Sequence, residues 1–234
     1  TPRSNGSRRA RPGRPTATSR QGPAAAPLAE TTWSRTSAAP FDAGVGLGLA
    51  RTAVFGGSFN PIHYGHLLLA DELLEALALD LVLFVPAALP PHKSPAYLAP
   101  AEDRCEMVRL ATAGHPKFAV SDLELRRPGP SYTVDTLAAL RIPRDELFLI
   151  VGSETFLDFL TWREPKRIAE LARIVVVPRV GSAFDPESAA VQKVVRGVGD
   201  EPLVVRATSL PISASDLRRR VHEGRSIAYR LPDA

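Results

Sequence analysis

The chain has 234 residues, 44% hydrophobic and 23% charged, enough for one globular domain with a sizeable core. No apolar run approaches the roughly 18 residues of a membrane span. The single cysteine, Cys105, excludes a disulfide scaffold and a Cys-built zinc site and points to a reducing compartment, the cytoplasm. The net charge of +4 is uneven: residues 1–50 carry seven Arg against Glu30 and Asp42, a balance of +5, which leaves −1 for residues 51–234. The basic pI therefore belongs to the leading segment and does not argue for a nucleic-acid-binding fold.

Residues 1–50 are dense in Pro, Ala, Gly, Ser, Thr and Arg, have no apolar periodicity, and hold only Trp33 and Phe41 as aromatics. Such a segment cannot offset its chain entropy by burial, so it is expected to be a disordered extension. Its Arg and Ser/Thr richness resembles a transit peptide; an over-long coding-region reading or a nucleic-acid or lipid-binding arm would carry the same bias.

From Arg51 the pattern changes. Thr52–Phe55 reads as a buried strand stopped by Gly56-Gly57. Residues 65–78 follow a helical pattern with one acidic face, Asp71 and Glu75. Leu81–Val85 is a second strand, and the proline-rich stretch 86–100 a long loop. Residues 101–113 read as a helix with Met107, Val108 and Leu110 inward. Strands follow at 118–120, 146–151, 174–177 and 203–205, and helices at 132–140, 165–171 (with Pro in its first turn) and 213–222, the last stopped by Gly224. Apolar strands alternating with helices predict an α/β domain over 51–234, a Rossmann-like parallel sheet with helices on both faces. Ligands of such sheets bind beyond the carboxyl ends of the strands.

One such end carries Gly56-Gly57-Ser58-Phe59-Asn60-Pro61-Ile62-His63-Tyr64-Gly65-His66. The glycines let a ligand approach the backbone. His63 and His66 flank Gly65 at a helix N-terminus, where unpaired amides favour anions; the arrangement suits phosphate. It is neither the Walker spacing nor Gly-x-Gly-x-x-Gly. A second motif, Ile212-Ser213-Ala214-Ser215-Asp216-Leu217-Arg218, sets cap hydroxyls at a helix start and an Arg able to grip phosphate with its fork.

The first motif resembles the His-x-Gly-His signature of the nucleotidyltransferase superfamily. The second resembles its Ile-Ser-x-Thr-x-x-Arg motif, with Ser215 in place of Thr. With Pro90-Pro91-His92-Lys93, Ser131-Tyr132-Thr133-Val134-Asp135-Thr136-Leu137, Gly152-Ser153-Glu154 and Thr161-Trp162 in this order, the chain is similar over 51–233 to the bacterial nicotinate-nucleotide adenylyltransferases.

The resemblance implies adenylyl transfer from ATP to nicotinate mononucleotide, giving deamido-NAD and pyrophosphate, with Mg²⁺ accompanying ATP and no protein metal ligands. His63, His66 and Arg218 would be catalytic. Gly56, Gly57, Ser58, Phe59, Gly65, Gly152, Glu154, Ile212, Ser213 and Ser215 would bind ATP. Lys93, Tyr132, Thr133, Trp162 and Arg163 would bind the mononucleotide. No membrane or nucleic-acid partner is expected, and an oligomer is compatible with the sequence. A preference for nicotinamide mononucleotide or another adenylyl acceptor, or a non-catalytic nucleotide-binding relative, are the alternatives.

The chain departs from the family pattern at several points. Asn60 replaces an Asp but retains an acceptor for a turn amide. Glu154 replaces the Asp near the ribose, and its extra methylene is expected to displace that contact. Val180 replaces a Pro. The sequence stops at Arg230–Ala234, where the family continues into a C-terminal helix, so the domain is expected to be shortened there.

Overall fold

A computed structural model describes residues 51–92, 94–179 and 184–233. The segment 1–50, Lys93 and Val180 lie outside the described residues. Six parallel strands form one sheet, β1 (Thr52–Gly57), β2 (Leu81–Pro86), β3 (Phe118–Val120), β4 (Leu147–Gly152), β5 (Arg173–Val177) and β6 (Leu203–Val204), in the order β3-β2-β1-β4-β5-β6. The helices are α1 (Tyr64–Ala76), α2 (Ala101–Thr112), α3 (Leu123–Arg126), α4 (Thr133–Leu140), α5 (Ser153–Leu157), α6 (Pro165–Leu171), α7 (Ala189–Val198) and α8 (Ala214–His222).

The strands are predominantly apolar because both faces of the sheet's centre are covered, and their two-residue period sorts the core into two layers. Val54, Leu83, Val85, Leu149 and Val176 point to one face, under Leu137 of α4, Ile168 of α6 and Val191, Val194 and Val198 of α7. Ala53, Phe55, Phe84, Phe148, Ile150 and Val175 point to the other, under Leu73 and Leu74 of α1 and Cys105 and Val108 of α2. Each Val, Leu, Ile or Phe among them withdrawn from water contributes about 1.5–3 kcal/mol before chain entropy is counted. Among the described residues no helix is long and apolar enough to cross a membrane.

The elements differ from expectation in a few places. The first strand runs through both glycines instead of stopping at them, because Gly56 and Gly57 still pair with Val85 and Pro86 of β2. On α2, Leu110 faces water at 47% exposure. The buried face is set instead by Arg104, Cys105, Val108 and Thr112, at helical spacing. Helices α3, α5 and α7 were not anticipated. For α7 the signal was present: Ser188 caps it by accepting from the Val191 amide, Val191, Val194 and Val198 recur on one face, and Gly199 ends it in a left-handed conformation.

Candidate active site

The sheet opens where its strand order reverses. β1 pairs with β4 only from Thr52–Leu147 to Val54–Leu149. The β1–β2 ladder continues to Gly57–Pro86 and the β4–β5 ladder to Gly152–Val177. The last three residues of β1 and of β4 thus separate from each other while staying paired on their outer sides, leaving a crevice at the switch point. Gly56, Gly57 and Gly152 stand at its edges.

The turn leaving β1 folds back on itself. A Cβ on Gly57 would lie 3.1 Å from the Phe59 ring, and Phe59 has φ 41°, in the left-handed region. Its buried ring meets Phe55 edge to face, with centroids 5.7 Å apart. Against these two rings sits His66, at 5.9 Å from Phe55 and 5.3 Å from Phe59. His63 and His66 stack with centroids 3.8 Å apart, and His66 Nδ1 accepts the His63 backbone N–H at 3.2 Å. With Nδ1 accepting, a neutral His66 ring carries its proton on Nε2, which makes that end the donor.

His63 is buried, and its Nδ1 has no hydrogen-bond partner among the described residues. Burial first, then the positive charge of Arg179, lowers its pKa to about 4, so it is neutral near pH 7. A Cβ on Gly65 would lie 3.1 Å from the His63 ring and 3.9 Å from the Ile212 carbonyl. The glycine therefore keeps space open between the first motif and the second.

The second motif is tied to the first at its far end. Ser213 caps α8, its Oγ accepting the Asp216 N–H at 3.2 Å. Arg218 donates through Nη1 to the Asn60 carbonyl at 2.6 Å and through Nη2 to Ser215 Oγ at 3.4 Å. The Tyr64 N–H, at the head of α1, donates to the Arg230 carbonyl at 3.0 Å. His63, His66, Gly65, Ile212, Ser215 and Arg218 thus converge through α1 and α8, although about 150 residues separate the motifs.

On the β4 side, Glu154 in α5 is 62% exposed and ion-paired with Arg179 at 3.2 Å. Arg179, just beyond β5, was not anticipated as a site residue. The loop after β2 is joined to the start of α4: Ser131 N–H donates to the Leu89 carbonyl at 2.9 Å, and Leu89 N–H to Ser131 Oγ at 3.1 Å. Thr133 opens α4 behind Tyr132, whose ring lies 4.8 Å beneath the Arg163 guanidinium. The Thr136 hydroxyl donates to the buried Glu124 carboxylate at 2.6 Å and accepts from Arg127 at 3.2 Å, anchoring the same helix from below. Trp162 is half-buried against Phe159, with ring centroids 4.9 Å apart.

Two further residues hold the loops: the sequence suggested Asn60 only as an acceptor and did not reveal Arg104. Asn60 is buried; its Nδ2 donates to the Tyr97 carbonyl at 2.8 Å and its Oδ1 accepts the Ala99 N–H at 3.2 Å. Arg104 is 1% exposed and donates to four main-chain carbonyls. Among the described residues no group of three or more His, Cys, Asp or Glu could hold a metal ion.

Residues 54–220 match the family model described as cytidylyltransferase-like. A protein of Thermus thermophilus named a probable nicotinate-nucleotide adenylyltransferase is 51% identical over 189 residues, covering 79% of this chain and 93% of the relative. One of the same name from Geobacter metallireducens is 45% identical over 199 residues, covering 78% and 92%. The fold is shared with the nicotinic acid mononucleotide adenylyltransferase of Plasmodium falciparum complexed with NaAD (TM-score 0.60, 18% identity, 75% of this chain and 86% of that one). With the paired histidines and the Ser–Arg motif meeting at the switch point of a Rossmann-like sheet, the chain belongs to the cytidylyltransferase-like family and, within it, to the nicotinate-nucleotide adenylyltransferases.

Proposed function

We propose that the chain transfers the adenylyl group of ATP to nicotinate mononucleotide, giving deamido-NAD and pyrophosphate. The observation that carries the reading is the meeting of His63, His66 and Arg218 at the crevice between β1 and β4, in a chain that shares 51% of its aligned residues with a relative named for this reaction. An oxygen of the mononucleotide 5′-phosphate attacks the α-phosphorus of ATP in line. The bond from that phosphorus to the α–β bridging oxygen breaks, and its electron pair leaves with pyrophosphate. The attacking phosphate is already an anion near neutral pH, so no general base is required. Catalysis is then positioning together with stabilisation of the charge developing on the transferred and leaving groups.

In this reading neutral His63 and the Nε2 end of His66 donate to the triphosphate, and Ser213, Ser215 and Arg218 hold its pyrophosphate portion. Gly56, Gly57, Ser58, Phe59, Gly65, Gly152 and Ile212 line the nucleotide. Tyr132, Thr133, Trp162, Arg163 and Lys93 belong to the mononucleotide side, where main-chain N–H donors favour a pyridine carboxylate over an amide. Mg²⁺ travels with ATP, held by phosphates and water, and neutralises phosphate charge; no cluster of protein carboxylates is needed for it.

The test is pyrophosphate release from Mg-ATP with nicotinate mononucleotide and nicotinamide mononucleotide in parallel. Release with a strong preference for the acid is expected. Equal use of both, or preference for the amide, overturns the substrate assignment. ATP binding with no release under either condition overturns the enzyme assignment.

A further inference from the structure

The loop between β2 and α2 contains Pro90-Pro91-His92 and enters α2 through residues 97–100. Among its described residues, Leu89 and Tyr97 are exposed. It is secured by polar side chains reaching its backbone from below. Arg104, on the buried face of α2, donates through Nε to the Ala99 carbonyl at 2.9 Å and through Nη2 to the Ala88 carbonyl at 3.1 Å. Its Nη1 serves two segments at once, the Ala87 carbonyl at 2.7 Å and the Ser58 carbonyl at 2.8 Å. One guanidinium therefore joins both ends of the loop to the turn that follows β1.

No carboxylate pairs with Arg104 among the described residues, and burial lowers its pKa below that of a free guanidinium. A cation held in a dry interior without a counter-ion is costly, and a plain helix-to-sheet contact would be served better by an apolar residue. What an apolar residue lacks is a rigid planar fork that reaches several carbonyls at fixed angles. Asn60 repeats the same logic from the β1 side. Its amide donates to the Tyr97 carbonyl and accepts from Ala99, while its own carbonyl receives Arg218.

We propose that Arg104 is a positioning residue that sets the spacing between the phosphate-binding turn of residues 56–60 and the loop of residues 87–99, and thereby governs capture of the second substrate. This rests on the adenylyl-transfer reading for the identity of that substrate. Three of the four bonds go to the loop and one to the turn, and the turn has its own restraints in the β1–β2 ladder and Arg218. Loosening Arg104 therefore frees the loop first.

Arg104→Lys keeps the charge and loses the fork. The Michaelis constant for nicotinate mononucleotide is expected to rise at least tenfold, while that for ATP and kcat each change less than threefold. Asn60→Asp replaces the donor to Tyr97 with a carboxylate oxygen and should shift the same constant in the same direction by a smaller factor; it carries the test should Arg104→Lys fail to fold. Hydrogen exchange in the full ligand-free chain supplies a second readout, with faster exchange across residues 87–99 and no change in β4 or β5. Unchanged exchange in that loop together with a mononucleotide constant within twofold of wild type overturns the proposal. So does an equal rise for both substrates with kcat falling in step with thermal stability. If the wild type releases no pyrophosphate, the functional reading fails, and the exchange comparison still decides the role of Arg104.

Discussion

The Arg218 guanidinium rests on the main-chain carbonyl of Asn60 at 2.6 Å, across a sequence separation of 158 residues. The Ser–Arg motif is thus registered directly on the turn that leads into the paired-histidine motif. The other arm of Arg218 reaches Ser215 Oγ at 3.4 Å, a contact that uses the hydroxyl. Arg218→Lys keeps a charge but cannot span both acceptors. Steady-state pyrophosphate release should show kcat lowered about 10²-fold. A value within threefold of wild type removes Arg218 from the transition state.

His66 is held on three sides, by Phe55, Phe59 and His63, and its tautomer is set by the His63 N–H. A ring fixed in this way is preorganised to donate from Nε2. His66→Ala is expected to lower kcat about 10²–10³-fold. A loss under threefold in the same assay would falsify its role.

Gly65→Ala places a methyl group 3.1 Å from the His63 ring. Alanine gains about 1 kcal/mol of helix propensity, which offsets part of an overpacking cost of about 1–3 kcal/mol. Thermal stability should change little. Because His63 stacks on His66, the displacement reaches the second ring, and kcat should fall at least about tenfold. Full activity in this variant would show that the imidazole pair tolerates movement.

The pH dependence of stability follows from His63, whose pKa is lowered to about 4 from 6.5. Between these values the unfolded chain binds a proton that the folded chain refuses. The contribution is complete above about pH 6.5 and is lost as pH falls toward 4. After allowance for screening by water it amounts to roughly 1–3 kcal/mol. Urea denaturation at about pH 7 and pH 4.5 should show a smaller loss for His63→Asn than for wild type; equal losses would exclude His63 as the source.

Glu154 and Arg179 form an exposed pair at 3.2 Å, worth about 0–1 kcal/mol. Glu154→Gln should shift Tm by less than about 2 °C. In the adenylyl-transfer reading it also frees the Arg179 charge for the triphosphate, and the KM for ATP should fall by a factor of about 2–5. A tenfold rise would mean that the Glu154 carboxylate leaves Arg179 for the ribose when ATP binds.

Much of this architecture was legible because it is written in local patterns. The apolar runs at 52–55, 81–85 and 174–177 could only be doubly covered strands, and Ser213 read directly as a helix cap. Arg104 was not legible. A charged residue on a helix reads as solvent-facing, and its acceptors are backbone carbonyls, which any residue type supplies. Leu110 failed for the matching reason: with Arg104 turned inward, the helix face rotates away from the position that hydrophobicity alone assigns. For Asn60 the sequence suggested its role as an acceptor, but the donor half, Nδ2 to the Tyr97 carbonyl, depends on where a loop 37 residues away comes to rest. An aspartate there would keep the first contact and lose the second.

The amide of Tyr64 gives its proton to the carbonyl of Arg230, so the head of α1 is finished by a residue that lies much later in the sequence. A polypeptide leaves the ribosome N-terminus first. Its paired histidines are therefore exposed long before Ser213, Arg218 or Arg230 exist to complete them. Contacts of such sequence separation form late and slowly. In the adenylyl-transfer reading, a nascent chain that has not yet reached α8 carries only the paired-histidine part of the proposed triphosphate site.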